Sequence, residues 1–262
     1  MRLHFEDHGS GSPTVLLLHG LGANGASWGP IVDRLRTRFS GRIVVPDLRG
    51  HGRSLHATNY GYGQHAADVA ELLAADESVY VVGHSMGGLI GLALATGWFG
   101  VTVHGVLAFG TKLAFTEEQL AKLSAQAQAP ARLFKTRAEA AARFLKVSGL
   151  DGLCSPESTV VDVSITALDG SYALSADPRT VMAAGPDFAV LFAAARCPVV
   201  LACGSGDPMV TVQELKAFDP DAVEFAGLHH NAHVEAPDAV IRLLEDKLLR
   251  NKAGTDGTPR IT

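Results

Sequence analysis

Short runs of β-branched and aliphatic residues alternate along the chain with stretches whose apolar positions recur at helical spacing. Residues 14–18, 42–45, 79–82, 103–109, 198–203 and 222–225 are the apolar runs, bounded by His19-Gly20, Pro46, Gly83 and similar stops. Continuous short apolar runs fit strands covered on both faces. Residues 86–98 read as an apolar helix, and residues 238–250 as an amphipathic one whose basic end suits the helix dipole. The alternation predicts an α/β fold, a mainly parallel central sheet with helices on both faces.

The rhythm breaks between residues 112 and 187. That segment is Ala-rich and helical in character over 116–147, then passes through Gly149, Gly152 and Pro156 into shorter pieces with no strand–helix alternation. The reading is a core of residues 1–111 and 188–250, a helical cap of residues 112–187, and a polar tail of residues 251–262 expected to be disordered. A chain of 262 residues suits one domain with one insertion.

One segment carries a chemical signature. Gly83-His84-Ser85-Met86-Gly87 fits G-x-S-x-G, with the run VYVV before it and the apolar stretch GGLIGLALA after it. A strand–turn–helix with serine at the turn lifts the hydroxyl above the sheet edge, and the N–H of Met86 then starts a helix beside it. A serine needs a base, and the base a third group to orient it. In this arrangement the chain order is serine, acid, histidine.

Asp207 follows the run 198–203 through Gly204-Ser205-Gly206 and precedes Pro208, a loop where a carboxylate reaches the C-terminal edge of a parallel sheet. The structural alternative is an Asx-type turn residue before proline. Asp219 and Asp221 read as surface turn residues. Three histidines, His229, His230 and His233, lie between the last run and the last helix, and the residues alone leave the choice among them open. Their spacing also admits a metal reading, but neither an H-E-x-x-H pattern nor a second ligand cluster accompanies them.

These segments together resemble the α/β-hydrolase superfamily, and in particular its serine esterase-like members with a helical cap. The resemblance implies an α/β-hydrolase fold. It selects His230, which stands five residues before Glu235 and seven before Pro237 in the family's register, although His229 occupies a place where the family more often has glycine. Leu18-His19-Gly20-Leu21-Gly22 looks like the family's oxyanion loop, so the backbone N–H groups of Leu21 and Met86 are the implied oxyanion donors. Pro46-Asp47-Leu48-Arg49-Gly50-His51-Gly52-Arg53-Ser54 resembles a structural segment in which an Asp–Arg pair braces a loop. The implied chemistry is hydrolysis of a small carboxylic ester or related acyl compound by Ser85, His230 and Asp207, with no cofactor and no metal. Cleavage of a C–C bond, a thioester or a lactone is the alternative within enzymes, and a non-catalytic ligand receptor the alternative outside them.

Composition narrows the partners. The net charge of −5, with basic residues scattered, gives no nucleic-acid footprint. Three cysteines without paired spacing argue against a disulfide framework. The longest apolar stretch is broken by Gly91, Gly97 and Gly100, so no membrane span is expected, and a polar N-terminus without an apolar core region reads as cytoplasmic. The partner expected is a small molecule with an apolar portion. Apolar cap residues such as Leu113, Phe115, Leu123, Leu133, Phe134 and Phe144 read chiefly as packing, and a basic excess over residues 112–146 reads chiefly as a solvated face.

Overall fold

A computed structural model describes residues 1–183, 185 and 188–250. The tail expected to be disordered lies outside the described residues, as do Ala184, Pro186 and Asp187 at the end of the expected cap. Seven strands form the main sheet: β1 (Phe5–His8), β2 (Thr14–Leu18), β3 (Arg42–Pro46), β4 (Val79–His84), β5 (Val103–Phe109), and, after an insertion, β8 (Val199–Gly204) and β9 (Val223–Phe225). Their order is β1-β3-β2-β4-β5-β8-β9, with only β1 antiparallel to its neighbour. The helices are α1 (Gly29–Leu35), α2 (Tyr62–Ala70), α3 (Met86–Ala95), α4 (Glu117–Gln128), α5 (Arg137–Ser148), α6 (Thr159–Val163), α7 (Ala189–Ala194), α8 (Val212–Lys216), α9 (Ala232–Glu235) and α10 (Pro237–Leu244).

The six apolar runs became strands because both sheet faces are covered. Side chains alternate across a strand, so in β2 Leu16 and Leu18 enter one core with Val44, Val81 and Leu201, while Val15 and Leu17 enter the other with Ile43, Val82 and Leu107. Strand β1 carries the polar sequence FEDH and is recognisable only through its pairing with β3. The closing helix is shorter than expected: α10 ends at Leu244 and a π-helical turn continues over Glu245–Leu249.

Between β5 and β8 lie α4, α5, α6 and two strands that the helical reading of this segment lacks, β6 (Ile165–Leu168) and β7 (Ser171–Leu174), paired antiparallel. Asp169-Gly170 joins them, with Gly170 at φ +68°, the dipeptide that two-residue hairpin turns favour. The segment has its own small core of Ala141, Phe144, Leu145, Leu150, Val160 and Val161. Two buried asparagines tie it to the sheet's C-terminal edge. Asn24 Nδ2 donates to Val160 O at 2.9 Å and to Ser164 Oγ at 2.7 Å, and Asn231 Nδ2 donates to Ser148 O at 3.0 Å and Gly149 O at 3.1 Å. No helix among the described residues is long and apolar enough to cross a membrane.

Five histidines are buried: His19, His51, His65, His84 and His233. Removal from water disfavours the imidazolium, and desolvation lowers His19 to about 4, His51 and His233 to about 3, and His65 to about 2. His84 is lowered well below 6.5 for the same reason. These groups are therefore neutral when folded and bind a proton near pH 6.5 when unfolded. Their stabilisation is complete above that pH and is lost as pH falls toward the folded values. Stability against heat or urea is expected to fall steadily from pH 7 to 5, by up to about 1.4 kcal/mol per pH unit for each histidine. The buried carboxylate of Asp177, held at about 2 with Arg179 and the Tyr60 hydroxyl against it, enters only at lower pH. His65→Phe is expected to flatten this dependence, and an unchanged slope between pH 7 and 5 would contradict it.

Candidate active site

Ser85 sits where β4 ends and α3 begins, at φ +52° and ψ −116°. It is the only non-glycine residue at positive φ among the described residues. Such a conformation costs on the order of 1–3 kcal/mol and persists where the surroundings over-determine it. Here they do: Ser85 N–H donates to Phe109 O at 2.9 Å, and Ser85 O accepts from Gly88 N at 3.0 Å and from Thr111 Oγ1 at 3.1 Å. Gly87 allows the close approach to β2 on the other side, since a Cβ there would stand 2.1 Å from Leu18 O.

Asp207 lies in the loop after β8 with its carboxylate fully buried. Its two oxygens lie 3.0 and 2.9 Å from His230 Nδ1, and Oδ1 also accepts from Met209 N–H at 2.8 Å. The Asx-turn reading and the acid reading thus describe the same side chain. Asp219 is a turn residue, Oδ1 accepting from Asp221 N–H at 3.0 Å.

The three neighbouring histidines take different surroundings. His229 is exposed, its ring Nδ1 3.1 Å from Glu235 Oε2 and its N–H bonded to the same oxygen at 2.9 Å. His233 is buried with its ring 4.6 Å from that of Trp28. His230 alone of the three meets Asp207. The rings therefore do not converge on one point, and among the described residues no group of three or more His, Cys, Asp and Glu is arranged to hold a metal ion. His84, inside the G-x-S-x-G segment, packs its ring edge-on to His230 with centroids 4.6 Å apart, a contact with no counterpart in the sequence reading.

Gly110, just past β5, is the other residue that the sequence reading did not single out. It has φ +60°, and a Cβ on it would come within 3.1 Å of the His230 ring and 3.4 Å of Asp207 Oδ2. Gly110, Ser85, Met86 and Leu21 all line one cavity of about 110 Å³, whose walls are otherwise mostly apolar and include Leu89 and Phe115. Phe115 and Leu123 thus reach the pocket, whereas Phe144 and Leu113 are packing residues and Leu133 is exposed.

His19 holds the loop that carries Leu21. Its Nε2 accepts from Leu48 N–H at 2.9 Å, which leaves the proton on Nδ1 to donate to Gly20 O at 2.8 Å. The neutral tautomer is thereby fixed, in keeping with its lowered pKa. The expected Asp47–Arg49 brace does not form. Asp47 instead accepts the backbone N–H groups of Gly25 at 2.7 Å and Arg53 at 2.8 Å, and Arg49 pairs with Asp68 at 2.6 Å. The buried carboxylate takes one backbone donor from its own turn, Arg53, and one from the loop after β2, Gly25, while the long guanidinium of Arg49 reaches helix α2. His51 is a buried loop residue, Nδ1 3.0 Å from Arg49 O.

Known proteins resemble this chain over part of its sequence and in its fold. A candidate carbamate hydrolase, RutD of Agrobacterium fabrum, is 42% identical over 100 residues, 36% of this chain and 38% of that protein. The pimeloyl-[acyl-carrier protein] methyl ester esterase of Vibrio vulnificus is 39% identical over 98 residues, 36% of this chain and 34% of that protein. The chain thus matches little more than a third of the length of these curated relatives. Among solved structures, E-2-(acetamidomethylene)succinate hydrolase superposes with a TM-score of 0.77 at 24% identity, covering 94% of each chain, a likeness of fold. The sequence model of the alpha/beta hydrolase family matches residues 15–243, and the chain belongs to that family.

Proposed function

We propose that the protein is a serine hydrolase that cleaves a small carboxylic ester, or a related acyl compound, through an acyl-enzyme. The observation that carries this reading is the strained turn at Ser85, facing a cavity whose Gly110 wall abuts the His230–Asp207 pair. Ser85 Oγ attacks the acyl carbon as His230 takes its proton, and Asp207 holds the imidazole by Nδ1 and stabilises the imidazolium that forms. The N–H groups of Leu21 and Met86 receive the developing oxyanion, a type of contact worth about 3–4 kcal/mol for one donor in comparable enzymes. His230 then protonates the leaving group, and water, activated by the same base, releases the acid and restores the serine hydroxyl. Ester chemistry in the name of the Vibrio relative and the mostly apolar walls near Ser85 support an ester with an apolar portion.

A fluorophosphonate probe is expected to modify Ser85 alone, with the adduct located by peptide mass spectrometry. Ser85→Ala is expected to abolish labelling and His230→Ala to suppress it, and turnover of an activated ester is expected to fall at least about 10³-fold in each. Folded wild-type protein that is neither labelled nor active would favour a ligand receptor on the same fold.

A second test separates site geometry from backbone cost. Gly110→Val puts a side chain against the His230 ring, and kcat/KM for an activated ester is expected to fall by about 10²-fold. Gly100→Ala is the control: Gly100 has φ +74° but no atom within 4 Å of a built Cβ, so its rate is expected to stay within about twofold. Equal effects of the two substitutions would remove Gly110 from the account.

A further inference from the structure

The cavity at Ser85 continues into a second one. Leu21, Thr180 and Val181 line both, and the second is a larger cleft of about 310 Å³ beneath α4, α5 and the turn at Pro178–Ala183. The two differ in chemistry. The Ser85 chamber is mostly apolar, whereas the cleft is lined in part by two exposed arginines, Arg132 and Arg143.

Neither arginine has a carboxylate partner among the described residues. Arg132 lies with its guanidinium 5.1 Å over the ring of Phe134, a contact that orients the group without neutralising it. Phe134 is itself buried and fixed by backbone bonds to Tyr172 at 2.8 and 2.9 Å. The carboxylate in the cleft, Asp177, is already engaged by Arg179 at 2.6 Å and by the Tyr60 hydroxyl at 2.7 Å. Glu139, near both arginines on α5, accepts the backbone N–H groups of Lys135 and Thr136 as part of the helix cap. With Asp177 offset by Arg179 and Glu139 set against two arginines, the cleft keeps a net positive charge beside an apolar chamber. A guanidinium donates two parallel N–H bonds to a carboxylate, which suits this group better than a neutral acyl tail.

We infer that the cleft is an anion subsite, and that the preferred substrate is an acyl ester bearing a second carboxylate at its far end, such as a half-ester of a short dicarboxylic acid. The inference rests on the serine-hydrolase reading for the cleavage step. The scissile carbonyl lies at Ser85, the alkyl stem along the apolar walls, and the distal carboxylate at Arg132 and Arg143. Hydrolysis consumes one water, breaks the acyl C–O bond, and releases the alcohol, the dicarboxylate and one proton.

The test compares monomethyl adipate with methyl hexanoate. The wild-type ratio of kcat/KM, anionic over neutral, is expected to exceed about tenfold at low ionic strength and to shrink with added salt. Arg132→Gln and Arg143→Gln are each expected to lower that ratio by about threefold to tenfold, Arg143→Lys, which keeps the charge but loses the paired N–H donors, to lower it less than Arg143→Gln, and Arg143→Glu to lower it furthest. Calorimetric binding of adipate to the Ser85→Ala protein, weakened by adding Arg143→Gln, reads the same subsite without any turnover. A wild-type ratio near one, or a ratio and adipate affinity unmoved by every arginine variant, would overturn the subsite while leaving Ser85 labelling intact. Adipate binding lost with Arg143 in a protein whose Ser85 takes no probe would keep the subsite and overturn the hydrolase reading instead.

Discussion

At Ser85 the chain leaves a parallel strand and enters a helix within a single residue, in a backbone conformation that disfavours a side chain. What compensates that strain is the sheet on either side. The end of β5 supplies Phe109 O and Thr111 Oγ1 to the turn, and the end of β2 packs its Leu18 carbonyl against Gly87. The same two strand ends carry Gly110 and Leu21, so the constraint that fixes the serine also fixes the floor and one wall of its cavity. The His230–Asp207 pair arrives from β8 and β9, the next two parallel strands, whose loops hold these residues.

Around this edge, polar groups act mainly as fasteners. His19 bridges the β2 and β3 loops through a fixed tautomer, Asp47 gathers two backbone donors, and Asn24 and Asn231 reach from the edge into the inserted segment. Each satisfies buried backbone groups that would otherwise be costly to leave unpaired. The buried histidines around His230 and His19 form a neutral layer, so the candidate base has His84 and His233 beside it without competing charge at neutral pH. Asn24 and Asn231 also couple the position of the insertion to the loops bearing Leu21 and His230. The walls of the Ser85 cavity and of the arginine cleft are thereby referenced to the same edge.

Membership of the alpha/beta hydrolase family assigns the fold, and the fold hosts many chemistries. In this chain the insertion brings Phe115 and Leu123 to the serine chamber and Arg132 and Arg143 to the adjoining cleft.

The sequence by itself determined the features that local chemistry dictates. Two-faced burial makes a strand a continuous apolar run, so β2 and β5 were legible to the residue, and a serine flanked by glycines between strand and helix was legible as an elbow. The polar β1 was not, because an edge strand exposed to solvent carries no apolar pattern and exists only by pairing with β3. The β6–β7 hairpin had its Asp169-Gly170 signal, but that signal was outweighed by the helical composition around it. The register motif pointed to His230, yet which of three adjacent histidines meets Asp207 is decided by how the loop after β9 folds back over β8, a contact between residues 23 positions apart. The same holds for Gly110 against His230, for His84 edge-on to that ring, and for Arg49 pairing with Asp68 rather than Asp47. These are non-local choices among chemically equivalent partners, and only the packing of the folded chain makes them.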